Sequence, residues 1–155
     1  MTIAPWNVLA GGKIRSDEEE ERRLRTGERG RATFTNGWMR TPEERKVCQA
    51  LEKVAKEVGA RNITAVAIAY VMQKTPYVFP IIGGRKIEHL MDNIQALEIA
   101  LSAEQVAYLE SVLPFDSGFP YDIIGNGTDY PRPYKSAGHF DRWLLPQAIY
   151  PVKQK

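Results

Sequence analysis

Residues 81–93 read IIGGRKIEHLMDN. A short apolar run ends in two glycines, a basic pair follows, and an amphipathic segment then carries His89 and Asn93. Glycine lets the main chain approach a ligand closely. The free N–H groups and dipole of a helix start favour negative charge. Arg85 is able to grip a phosphate through two parallel hydrogen bonds, and Lys86 adds a point charge. Arg85, His89 and Asn93 are spaced by four, which places them on one face of a helix. A planar ring and an amide beside a phosphate site suit an adenine. The spacings Gly-x-x-x-x-Gly-Lys-Ser/Thr and Gly-x-Gly-x-x-Gly are both absent. A plain strand-to-helix turn with a solvated Arg85–Lys86 pair accounts for the same residues.

A second stretch, PWNVLAGGK, is also an apolar segment that runs into glycines and a lysine. Two consecutive strand ends with ligand-ready loops match the phosphate site of an eight-stranded (β/α) barrel, which is built from the loops after its last two strands. Other chemistry finds little support. His89 and His139 are the only histidines, there is one cysteine, and no His-Glu-x-x-His occurs, so no metal site is expected. No Gly-x-Ser-x-Gly nucleophile motif occurs. The acids Asp17–Glu21 read as a wet helix start.

The elements that must position these loops follow from pattern. TIAPWNVL reads as a short strand and TPYVFPII as a strand of the fully buried type. Ser16–Thr26 is expected to form a solvated helix capped by Ser16 or Asp17, with a charged loop as the alternative. RATFTNGW reads as loop. Thr41–Val58 is a helix with Thr41, Pro42 and Glu44 at its start and Gly59 at its end. Asn62 caps Ile63–Lys74, which is apolar nearly all round and therefore buried. Lys86–Leu97 places Ile87, Leu90, Met91, Ile94 and Leu97 on one apolar face. Ser102–Leu113 opens with a Ser102–Gln105 capping box. Six of the ten prolines fall from Pro114 onward, where periodicity fades. The alternation is α/β and favours parallel strands with helical crossovers. Two strands are too few for a stable sheet of that kind, so further strands are expected beside them.

Length and composition bound the rest. The 155 residues suit one domain, and 43% hydrophobic with 26% charged residues is an ordinary globular mixture. A net charge of +2 gives no reason to expect nucleic acid as a partner. No apolar run reaches bilayer length, so no membrane partner is expected. The lone Cys48 fits a reducing compartment, and the start lacks a secretory leader, which makes a cytoplasmic location the expectation. Asn62 and Asn126 open glycosylation sequons that are then read as chance.

The segments APWNVLAGGK, ITAVAIAYVMQKTPYVFPIIGGRKIEHLMDNIQALEIALSAEQVAYLES and PFDSGFP resemble the C-terminal part of aldo-keto reductases, nearest to fungal aryl-alcohol dehydrogenases and norsolorinic acid reductase-like proteins. IIGGRKIEHLMDN occupies the place of that family's IPGARxxxQLxxN cofactor signature. The resemblance covers the first three-quarters of the chain, and the tail after Pro120 matches poorly.

The resemblance implies an α/β fold, a partial (β/α)8 TIM barrel comprising the last two β/α units, a C-terminal helix and an irregular tail. Residues 1–120 would be the barrel portion and 121–155 the tail. It implies NADP(H) as cofactor and hydride transfer between NADP(H) and an aldehyde, ketone or alcohol. Asn7 and Leu9 would lie where the loop meets the nicotinamide half and the pyrophosphate. Ala10, Gly11, Gly12 and Lys13 would continue over the pyrophosphate. Gly83, Gly84 and Arg85 match the positions that hold the adenosine 2′-phosphate. His89 stands where the family has Gln or Arg against adenine, and Asn93 matches the Asn at the adenine edge. Trp6 would neighbour the nicotinamide, with a core tryptophan as the rival reading. The family's Tyr acid and its Lys, Asp and His helpers have no counterpart here, and none of the seven tyrosines falls in that context. The chain is therefore expected to be inactive alone, its partner a complementing front-half chain. The alternative is a non-enzymatic module that folds only with a partner chain.

Overall fold

The computed structural model describes all residues except 31, 33–36, 126–128, 142, 143, 145 and 153–155, together with the side chain of Arg132. The Asn126 sequon and most of RATFTNGW lie outside the described residues. Met1–Leu113 and the chain from Gln147 form one compact unit, and Pro114–Pro146 form another.

The first unit is built on helices whose starts are chemically specified. Helix α1 (Asp17–Thr26) is capped by Ser16, whose hydroxyl accepts from the Glu19 N–H. Helix α2 (Pro42–Val58) carries the full capping box of Thr41 and Glu44 and ends at Gly59 in a left-handed conformation. Asn62 caps α3 (Ile63–Met72) by accepting from the Ala65 N–H. Helix α4 (Ile87–Ile94) runs on as a 3-10 turn over Gln95–Glu98. Helix α5 (Ala103–Val112) has the Ser102–Gln105 box.

The core lies between α2 and α3. Cys48, Leu51, Val54 and Ala55 meet Ile63, Val66, Ile68 and Ala69, and Ala96, Ile99 and Leu101 close it. The Gln73 side chain ties the chain after α4 to the end of α3: its amide donates to the Ile99 carbonyl at 2.7 Å and accepts from the Leu101 N–H at 2.9 Å. That satisfies two buried main-chain groups at once.

The two expected strands are the main correction. Among the described residues they form no continuous strand, only a parallel bridge between Ile3 and Val78. The Ile3 N–H donates to Tyr77, the Phe79 N–H to Ile3 and the Ile81 N–H to Pro5, at 3.0, 2.8 and 2.9 Å. The bond that would extend this ladder is one from residue 5 to Phe79, and Pro5 has no N–H to give. Nor is the second segment buried on both faces. Val78 is buried, whereas Tyr77, Phe79 and Ile81 are each more than half exposed. The apolar face expected of α4 is exposed too, at Ile87, Leu90, Met91 and Ile94.

The second unit holds two short helices, α6 (Tyr121–Ile124) and α7 (Arg132–Ala137), where an irregular tail was expected. The Phe140 ring packs against Tyr130 and Tyr134 at centroid distances of 5.6 and 5.8 Å, and Lys135 pairs with Asp129.

Candidate functional site

The parallel register decides where the loops go. Both paired segments run in one direction, so Trp6–Lys13 and Ile82–Arg85 leave from the same end of the pair. In parallel α/β arrangements that end is where ligands bind. Val8, Leu9, Ile14 and Ile82 pack on the common core and anchor both loops.

The first loop is held in a rarely populated conformation. Asn7, Ala10, Gly11 and Gly12 all have positive φ, from +49° to +90°. Ala10 pays for this with a Cβ, at about 1 kcal/mol. The Asn7 side-chain oxygen accepts from the Gly11 N–H at 2.6 Å, and the Leu9 carbonyl accepts from Gly12 at 2.9 Å. Strain of this kind clusters at ligand sites. Replacing Asn7 with alanine removes the acceptor and a residue type that tolerates left-handed φ. The Gly11 amide should then exchange its hydrogen about tenfold faster while the global melt barely moves.

Beneath the loop lies a buried ion cluster that the sequence did not announce. Arg15 and Glu20 are 2% and 1% exposed, and the Arg40 side chain is fully covered. Glu20 accepts from Arg15 Nε at 2.9 Å, Arg40 Nε at 2.9 Å and Arg45 Nη2 at 3.1 Å. Arg15 also donates to the Gly12 carbonyl at 2.9 Å and lies over the Trp38 ring at 5.0 Å. Arg40 donates to the Arg15 carbonyl at 2.7 Å. Burial pushes the Glu20 carboxyl up, but hydrogen bonds from Arg40, Arg15 and Arg45 outweigh it and hold the group at about 2. The expectation of a wet acidic helix start therefore fails at Glu20. The missing signal is non-local, since Arg40 and Arg45 come from beyond the next loop.

Lys13 is turned inward. Its ammonium donates to both Glu44 carboxylate oxygens at 2.8 and 3.0 Å, and the residue is 8% exposed. Its carbonyl accepts from the Cys48 thiol at 3.3 Å. The Lys13 ammonium is thereby withdrawn from the loop surface, where Trp6 and Asn7 are exposed.

The second loop is open. Gly83, Gly84, Arg85 and Lys86 are all exposed. Lys86 is the N-cap residue of α4, so Arg85 precedes the helix instead of sharing its face with His89 and Asn93. No side chain caps α4, in contrast to α1, α2, α3 and α5. His89 is half-buried and Asn93 is 5% exposed. A Cβ on Gly84 would stand 2.7 Å from the His89 Cβ, whereas one on Gly83 would meet nothing. Gly84→Ala must therefore spread the turn and should cost about 1–3 kcal/mol in a denaturant melt. Gly83→Ala should stay within about 0.5 kcal/mol.

Glu28, just beyond α1, reaches this loop: its carboxylate accepts from Arg85 at 2.9 Å and from Arg22 at 3.2 Å. A cleft of about 320 Å³ lies nearby, lined by Arg23, Leu24, Gly27, Arg29, Trp38 and Met39. None of the residues singled out from sequence lines it. Among the described residues no helix is long and apolar enough to cross a membrane, and no cluster of three His, Cys, Asp or Glu stands ready for a metal.

Comparison with known proteins gives the family. The Aldo/keto reductase family profile matches residues 1–114. The chain is 60% identical over 154 residues to an aryl-alcohol dehydrogenase [NADP(+)] of Phanerodontia chrysosporium, covering 99% of this chain and 40% of that protein. It is 50% identical over 126 residues to a putative aryl-alcohol dehydrogenase of Saccharomyces cerevisiae, covering 81% of this chain and 82% of that one. An aldo-keto reductase of Aspergillus calidoustus is 50% identical over 125 residues, 31% of its length. The alignment with the Phanerodontia protein continues through the tail, which corrects the expectation that similarity fades after Pro120. The chain thus spans less than half the length of two of these three relatives, and it belongs to the aldo/keto reductase family.

Proposed function

We propose that this chain is the NADP(H)-binding portion of an aldo-keto reductase of aryl-alcohol dehydrogenase type. One observation carries the reading. Arg85 stands just before α4, an eight-residue helix that no side chain caps, on the same end of the paired segments as the strained glycine loop. Uncapped N–H groups, a helix dipole and a guanidinium together form an anion site. The relative named for NADP(+) supports the choice of anion.

The residues fit that cofactor. Gly83, Gly84 and Arg85 would take the 2′-phosphate with the first N–H groups of α4. Asn7, Leu9, Ala10, Gly11, Gly12 and Lys13 would border the pyrophosphate; the N–H groups of Ala10, Gly11, Gly12 and Lys13 are bonded within the loop and the Lys13 ammonium is committed to Glu44, so binding there would exchange loop hydrogen bonds for bonds to the anion. Trp6, 59% exposed, would border the nicotinamide. His89 would face adenine, whereas Asn93, 5% exposed, is on the buried side of α4 and does not fit an adenine contact here. Bound NADP(H) supplies or accepts the hydride. The residues here bind and orient; none is assigned as the acid. Tyr70 illustrates why: burial pushes its phenol up and the Glu110 carboxylate adds to that, so it is a poorer proton donor than an ordinary tyrosine. The chain as given is therefore proposed to be inactive alone. Its two paired segments would serve as neighbouring strands of a (β/α)8 barrel.

Titrating the chain with NADPH and NADH, followed by tryptophan fluorescence, tests this. Saturation by NADPH at lower concentration than by NADH is the expected result; equal or absent response to both overturns it.

A second reading is favoured by the exposed Tyr77, Phe79 and Ile81 together with the bare face of α4. It makes the chain a non-enzymatic module that folds with a partner supplying further strands. Mixing with the N-terminal part of the Phanerodontia relative separates the two. Recovery of NADPH-dependent aldehyde reduction supports the reductase, and association without turnover supports the module.

A further inference from the structure

We propose that Glu28 is a specificity-determining residue that competes with phosphate for Arg85 and so sets how strongly the site prefers 2′-phosphorylated nucleotides. The proposal rests on the assignment of Arg85 to the 2′-phosphate. A guanidinium fork fits a carboxylate and a phosphate alike. In this structure the acceptor on Arg85 is the Glu28 carboxylate, at 2.9 Å. The contact does little for stability: the Arg85 side chain is 68% exposed, and ion pairs that open to water contribute little. Its position is what matters. A dianionic phosphate arriving at Arg85 must displace Glu28 or repel it, whereas a nucleotide without the 2′-phosphate leaves the pair intact. Glu28 also has somewhere to go, because Arg22 holds its other oxygen at 3.2 Å. The carboxylate can leave Arg85 and remain paired. The turn that carries it follows Gly27, whose φ of +72° ends α1 and sends the chain back toward the glycine loop after Ile82.

The test is calorimetric titration of the whole chain with 2′,5′-ADP and 5′-AMP, in native form and as Glu28→Gln. Glutamine keeps the shape and removes the charge. The ratio of the two dissociation constants, 5′-AMP over 2′,5′-ADP, should rise about three- to fivefold in Glu28→Gln, the size of an exposed ion pair removed from competition. In an Arg85→Ala background the same substitution should leave the ratio unchanged. A native chain that does not discriminate, beside a Glu28→Gln chain that does, also supports the proposal in its strongest form. If the native chain prefers 2′,5′-ADP and Glu28→Gln leaves that preference equal or weaker, the competitor role of Glu28 is overturned while Arg85 keeps its assignment. If neither form discriminates, both assignments fall.

Discussion

Replacing Glu20 with alanine should destabilise the first unit by about 3–5 kcal/mol, the cost of leaving the buried Arg15 without its counter-charge, while Arg40 keeps Asp17. Against a total of about 5–15 kcal/mol for a domain, that is a large fraction. Arg15 and Arg40 would both lose their shared carboxylate, and neither has water to turn to. Glu19 gives the control. It pairs with Arg23 on the partly exposed side of the same helix, so Glu19→Ala should cost no more than about 1 kcal/mol. Denaturant melts of the two variants check the contrast, and equal small effects would mean the cluster is not buried in solution.

The same group gives a pH dependence with a definite sign. The Glu20 carboxyl is lowered from 4.5 to about 2 in the folded chain. A lowered carboxyl stabilises the fold fully above its unfolded value and loses that contribution as pH falls through its folded value. Stability should therefore decline between about pH 4.5 and pH 2, and the decline should flatten in Glu20→Gln. The effect reaches the candidate site, because Arg15 holds the Gly12 carbonyl as well as Glu20. Protonating Glu20 should loosen the glycine loop before the core melts, visible as earlier loss of protection at Gly11 and Gly12.

Arg85→Ala should weaken NADPH binding by about 10- to 100-fold, the worth of a charge-assisted hydrogen bond of about 1.5–3 kcal/mol. NADH binding should change little, because it has no 2′-phosphate to lose. The side chain is exposed and its ion pair with Glu28 opens to water, so the melt should not shift by more than about 0.5 kcal/mol. A loss of affinity without loss of fold separates a binding role from a structural one. Equal weakening of both nucleotides would instead place Arg85 on the pyrophosphate.

The helices were legible because their signals are local. Ser16, Thr41 with Glu44, Asn62, and Ser102 with Gln105 each sit three residues from the N–H they satisfy, so the chemistry is written within one turn. The burial of α3 followed from a segment with no polar face. The paired segments were read as strands from composition, which is blind to the single missing N–H of Pro5 and to what lies beside Tyr77 and Phe79. The acidic run was misread at Glu20 because its partners Arg40 and Arg45 are distant in sequence, while Glu18 and Glu21 in the same run do face water. At the candidate site, the glycine positions were legible, while the inward turn of Lys13 toward Glu44 and the reach of Glu28 to Arg85 depend on tertiary placement alone.

Phosphorus NMR of NADP⁺ observes the 2′-phosphate by itself and so tests directly its proposed seat on Arg85 before α4. Adding the chain should shift or broaden the 2′-phosphate resonance at least as strongly as the pyrophosphate resonances, and Arg85→Ala should abolish the 2′-phosphate response while sparing the others. A response confined to the pyrophosphate, or none at any resonance, would contradict the claim.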